Sequence, residues 1–132
     1  MKIFIDANIL FTAAYSPQGK AALLIQKLGP LMFTSDYAAE EARRNIQAKK
    51  PDAIITFEKL LKLIKCVSTS SSHECPIVLR EKDRPFFLTA LAEGATHLLT
   101  GDLKDFGVFM NKPTKACGIL IQTVNDFLNS LD

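Results

Sequence analysis

The sequence predicts an α/β domain: a mainly parallel sheet covered by helices on both faces. Three observations predict it. The segments "KIFID", "LMFTS", "HLLT" and "CGILIQT" are short, apolar and without a polar face. Strands of that kind are buried on both sides, as in parallel sheets under two helical layers. They alternate with longer amphipathic stretches, the order that builds βαβ units. The 132 residues, 48% hydrophobic and 23% charged, fit one domain over 1–132 with a sizeable core.

Each element has its own signal. Residues 2–6 read as a buried strand ending on Asp6. A short helix over 8–15 follows and stops at "SPQG". "KAALLIQKLG" is a helix with apolar positions 23, 24 and 28, closed by Gly29-Pro30. Residues 31–35 form the second strand. "DYAAEEARRNIQAKK" is helical with a stripe at 38, 39, 42 and 46, and Pro51 lies beyond its end. "DAIITFEKLLKLIK" reads as a longer amphipathic helix. "STSSSHECP" is a polar loop, and "IVL" at 77–79 is a short strand or an extended connection. Pro85 opens a helix that ends at Gly94, since proline is tolerated in a first turn. "HLLT" and "CGILIQT" are strands, and "VNDFLNSL" is a closing helix.

Composition excludes several classes. No apolar run reaches the ~18 residues of a membrane span, and Asp6 interrupts the N-terminal apolar run as no signal peptide would. A cytoplasmic protein without membrane contact is the expectation. Cys66, Cys75 and Cys117 form no CxxC pair, which fits reduced thiols better than a zinc site completed by His73. Net charge is only +2, but Arg43, Arg44, Lys49 and Lys50 cluster, and Arg80, Lys82 and Arg84 flank an acid. Such runs are solvated faces that also suit a passing phosphate backbone.

The carboxylates carry the chemistry. Ligands of open parallel sheets bind beyond the carboxyl ends of the strands. Asp6 closes the first strand, and Asp102 follows "HLLT" by one glycine. Asp83 immediately precedes the helix that leads into "HLLT". Glu40 and Glu41 lie early in the helix after the second strand. Measured from Ala38 and Ala42, Glu41 flanks the packed stripe and Glu40 points to the far side. Acids gathered at one edge repel one another unless a cation neutralises them. Mg²⁺ or Mn²⁺ takes oxygen ligands, and such ions serve phosphodiester cleavage. Each acid also has a structural reading: Asp6 and Asp102 as helix caps, Asp83 as a favourable charge at a helix start. Asp105 and Glu40 read as solvated. Asn8, Ser35 and Thr100 read as caps that can also support the acids.

These segments resemble the motifs of PIN domains. "FIDANILFTAA" is similar to their first motif, an Asp-x-Asn pair followed by small apolar residues. "TSDYAAEEARRNI" resembles the second, with a glutamate in a helix after a Ser-ending strand, and "EKDRPFFLTALAEGATHLLTGDLKDF" resembles the third and fourth. The resemblance runs from Lys2 to Phe127. It implies a three-layer α/β/α fold and a Mg²⁺- or Mn²⁺-dependent endoribonuclease, similar to VapC toxins, leaving a 5′-phosphate and a 3′-hydroxyl. It implies Asp6, Glu41, Asp83 and Asp102 as the catalytic acids, with Asp6, Asp83 and Asp102 on the metal. Asn8, Ser35 and Thr100 are neighbours, and Asp105 matches a position acidic in some members. Arg43, Arg44, Lys82, Arg84 and Lys104 are candidates to guide RNA. An RNA substrate, a cognate antitoxin and a homodimer are the implied partners. The alternatives are a catalytically silent PIN-like RNA-binding or interaction module, and a haloacid-dehalogenase-like phosphohydrolase with Asp6 as nucleophile. The latter wants an aspartate where this chain has Asn8.

Overall fold

The structure is a computed structural model that describes residues 1–70 and 74–131. Its centre is a five-stranded sheet, all parallel, in the order β3-β2-β1-β4-β5. The strands are β1 (Ile3–Ile5), β2 (Met32–Ser35), β3 (Lys65–Val67), β4 (His97–Leu99) and β5 (Leu120–Gln122). The helices are α1 (Ala7–Tyr15), α2 (Lys20–Leu28), α3 (Asp36–Lys49), α4 (Ile54–Leu61), α5 (Arg84–Ala92), α6 (Leu103–Phe106) and α7 (Val124–Ser130).

The sheet is buried on both faces, as its apolar strands require. Ile3, Phe4 and Ile5 are all fully buried. Successive strand residues point to opposite faces. Phe4 meets Phe33 edge-on at 5.3 Å and lies 6.4 Å from Phe86 of α5. On the other face α1 packs against α2, α3 and α4. The resulting three-layer α/β/α arrangement is the one expected.

Local readings fare unevenly. The stripe of α3 is as expected: Ala38, Ala39, Ala42 and Ile46 are its buried residues. In α2 the buried residues are Ala21, Ala22, Leu24 and Ile25, and Leu23 is exposed. The longer helix after Pro51 stops at Leu61: residues 62–64 turn, and Lys65, the last of the expected helix, opens the third strand. Lys65–Val67 pairs with β2 from Phe33 to Ser35. Residues 77–79 form no strand. Leu79 is buried there, and a turn from Arg80 to Asp83 follows, closed by a 2.9 Å bond from the Asp83 amide to the Arg80 carbonyl. The fifth strand is shorter than "CGILIQT", because Cys117 and Gly118 adopt left-handed backbone, φ 54° and 88°.

One glycine is fixed by close approach. A Cβ on Gly29 would lie 2.5 Å from the Leu63 carbonyl oxygen. Backbone cannot yield as a flexible side chain does. Gly29→Ala is therefore expected to destabilise the fold by about 1–3 kcal/mol, read as a lowered denaturant midpoint at unchanged slope.

Candidate functional site

The strand order reverses direction between β1 and β4, where the chain passes from one half of the sheet to the other. Such a switch opens a crevice beyond the strand ends. Asp6 and Asp102 stand at its two sides. The Asp6 amide donates to the Leu99 carbonyl at 3.3 Å, which draws the end of β1 to the end of β4.

Asp6 is the most constrained. It is 1% exposed and caps α1, accepting from the Ile9 amide at 3.2 Å. Its second oxygen accepts from Asn8 Nδ2 at 3.2 Å. Burial pushes its carboxyl up to about 7, and the Asp102 charge adds to this, against the hydrogen bonds from Thr100 and Ile9. Asn8 also accepts from the Gly101 amide at 2.9 Å, so one amide side chain joins Asp6 to the loop that carries Asp102. Thr100 is buried and its hydroxyl accepts from the Asp102 amide at 3.0 Å. Ser35 is buried as the cap of α3, bonded by the Ala38 amide at 3.1 Å. Asn8→Ala breaks both of its links. We expect it to lower any metal-dependent activity by about 10–100-fold, the usual effect of losing an outer support, together with weaker Mn²⁺ binding in calorimetry.

Asp83, Asp102 and Asp105 each offer a carboxylate oxygen, and the three atoms lie within 4.8 Å of one another. Asp102 caps α6 by accepting from the Asp105 amide at 3.1 Å, which turns the two side chains to one side of a single helical turn. Asp83 is 3% exposed, and its Oδ2 is buried with no hydrogen-bond donor among the described residues. Burial and the facing Asp105 push the Asp83 carboxyl up to about 7. Asp105 moves the other way, held below the usual range by Asp83, Arg80, Asp102 and Lys82. Two carboxylates facing each other have no hydrogen between them unless one is protonated. A proton or a cation is the missing element, and the orphaned Asp83 oxygen fits a divalent ion.

The expected residues are therefore only partly together. Asp83 and Asp102 converge, while Asp6 stands beside Asp102 outside the three-residue group. Asp105, read from the sequence as solvated, is inside the group, with its side chain 6% exposed. The signal that could have found it is the spacing of two acids across one capped turn. Glu40 points away, paired with Arg43 at 3.0 Å. Glu41 is half-buried, and its charge, like that of Asp83, acts on the Tyr37 phenol. Tyr37 is a further residue here, unmarked in the sequence. Its hydroxyl donates to the Lys82 carbonyl at 3.2 Å and its ring packs 5.4 Å from Phe86, which ties α3 to the turn carrying Asp83.

The cations divide. Arg43 is occupied by Glu58 as well as Glu40 and lies over the Phe57 ring, so it braces α3 against α4. Its guanidinium is paired with two glutamates in this structure. Lys82 and Arg80 reach Asp105 at 3.9 and 3.7 Å. Together with Tyr37 and Pro85 they border a cleft of about 550 Å³. Arg84 is anchored by a 3.0 Å bond to the Leu79 carbonyl, and Arg44 and Lys104 are exposed. The cysteines do not gather: Cys66 and Cys117 are exposed, Cys75 is half-buried, and His73 lies outside the described residues. Among the described residues no thiol joins a metal-holding group, and no helix is long and apolar enough to cross a membrane.

No protein-family model matches the sequence, and no curated protein does. Solved structures do match. VapBC from Salmonella typhimurium bound to DNA aligns with TM-score 0.70 at 13% identity, over 94% of this chain and 98% of that one. VapBC2 from Rickettsia felis, bound to a promoter DNA fragment, aligns with TM-score 0.67 at 14% identity, over 93% and 98%. Mycobacterium tuberculosis VapC20, a sarcin-ricin loop cleaving toxin, aligns with TM-score 0.57 at 12% identity, over 74% and 87%. With a parallel sheet in the order β3-β2-β1-β4-β5 and acids at its switch point, this chain has the fold of the VapC-like PIN domains.

Proposed function

We propose that the protein is a divalent-metal-dependent endoribonuclease, the toxin half of a toxin–antitoxin pair. The observation that carries this is the group Asp83, Asp102 and Asp105, in which one buried Asp83 oxygen has no donor among the described residues. Those three residues would hold Mg²⁺ or Mn²⁺, with Asp6 supplying further negative charge beside Asp102. When bound, the ion polarises the phosphate and makes a water nucleophilic near neutral pH.

The chain's own residues set the geometry. Asn8, Thr100 and Tyr37 fix the acids so that none must reorganise during reaction. Glu41 borders the same region and completes the acidic set. Arg80 and Lys82 at the rim of the cleft supply positive charge for the RNA backbone, with Arg44, Arg84 and Lys104 as further candidates. Phosphate contacts of this kind position a strand without reading it.

The neighbours that are VapBC assemblies support a cognate antitoxin as partner, and a homodimer is part of the same reading. A cytoplasmic location belongs to the same reading. The test is incubation of the purified protein with panels of single-stranded and structured RNA, with Mg²⁺, Mn²⁺ or EDTA. Cleavage that requires the ion and leaves 5′-phosphates is expected. Ion binding without cleavage of any RNA would point instead to a silent RNA-binding module, and an absence of ion binding would overturn the metal centre.

A further inference from the structure

A second cavity, of about 440 Å³, opens on the same edge of the sheet as the acids. It shares a wall with them. Asn8, Thr100 and Gly101 line it, and the next residue along that loop is Asp102. Its inner surface is apolar, formed by Ile9, Ala21 and Val124. Thr12, Lys20 and Asn125 add polar groups, and Lys20 Nζ donates to Asn125 Oδ1 at 2.9 Å. Among the described residues no carboxylate lines it, although three acids stand just beyond the shared wall.

We infer that this cavity is a nucleotide subsite, holding one nucleotide of the RNA strand next to the bond that is cut. The inference rests on the nuclease reading above and adds where the strand runs and what selects it. The size falls within the range of small-molecule pockets, about 300–1,000 Å³. An apolar wall with a few polar groups suits a flat base with hydrogen-bonding edges. A single lysine and no acid suit the phosphate attached to it, where the neighbouring acids would repel an anion. Thr12 and Asn125 are the groups placed to distinguish bases, and Lys20 the one placed to hold phosphate. The cleft at Tyr37, Arg80 and Lys82 lies on the other side of the acids in the loop order. A strand crossing the metal centre therefore runs from that cleft into this cavity.

Two measurements test this. In the first, a random-sequence RNA pool is cut with Mn²⁺ and the ends are sequenced, for the wild type, Thr12→Phe and Lys20→Ala. Thr12 and Lys20 are exposed, so neither change disturbs the core. Thr12→Phe is expected to abolish or change base preference at one position beside the cut, and both variants to raise KM by about tenfold, as pocket contacts of this size do. Unchanged preference and KM in both variants would overturn the subsite while leaving the nuclease intact. In the second, the four 5′-mononucleotides are titrated into metal-free wild type and followed by NMR. Shifts at Lys20 and Asn125, lost in Thr12→Phe, support the subsite even if no RNA is ever cut. Shifts confined to the Tyr37 cleft overturn it.

Discussion

Asp83→Asn is expected to lower metal-dependent RNA cleavage by about a thousandfold or more while the protein stays folded. Asp83 is the least replaceable of the acids. Its Oδ2 is buried without a donor among the described residues, and it faces the negative charge of Asp105. An amide keeps the shape of the side chain and removes the charge that an ion needs. The amide nitrogen can also donate to Asp105, which fills the gap the cation would occupy. The variant should therefore be at least as stable as the wild type in EDTA, and should show no stabilisation by Mn²⁺. Cleavage assays and denaturant titrations on the same preparations separate these outcomes. Wild-type cleavage by Asp83→Asn would remove this carboxylate from the chemistry. Lost cleavage together with lost folding would make its role structural.

Without metal, the protein is expected to lose stability as pH rises from about 4 to about 7, by about 4 kcal/mol from Asp6 alone. Asp6 is fully buried, and its carboxyl moves from 3.8 up to about 7. Over that interval the folded state keeps a proton that the unfolded chain has released. The stabilisation of the protonated form is complete below the unfolded pKa and gone above the folded one. Asp83 acts in the same sense. The Asp105 carboxyl, held low, loses its contribution only as pH falls through its folded pKa, outside this window. His97 opposes the trend, because its half-buried ring is kept from protonation by burial, which favours the fold as pH rises. Denaturant titrations at pH 5 and pH 8 in EDTA measure the net slope. Mn²⁺ should restore stability at pH 8 and do little at pH 5, and Asp6→Asn should flatten the slope. Stability in EDTA that is level or rising with pH would show that these carboxyls are not held neutral by the fold.

Legibility followed the physics of each signal. β1, β2 and β4 were readable because strands buried on both faces have no polar side. β3 was hidden. Lys65 and Cys66 are exposed on an edge strand, so nothing apolar marks them, and the helical period of the preceding residues runs into them. Pairing with β2, not local preference, makes them a strand. The Asp6–Asn8 pair was legible for the opposite reason: the bond between them and the Asp6 cap on Ile9 lie within one helix start and span only a few residues.

The sequence by itself determined an α/β chain with acids at the ends of its strands, because burial pattern and turn chemistry are local properties. It also separated Glu41 from Glu40, since a helix has a fixed period. Only the tertiary structure decided which acids share a site. It set Asp105 beside Asp83 across a crossover of the sheet, left Asp6 behind Asp102, and drew Arg43 away to Glu58. Those outcomes depend on distances between residues far apart in the chain, and such distances exist only once the strands are in order.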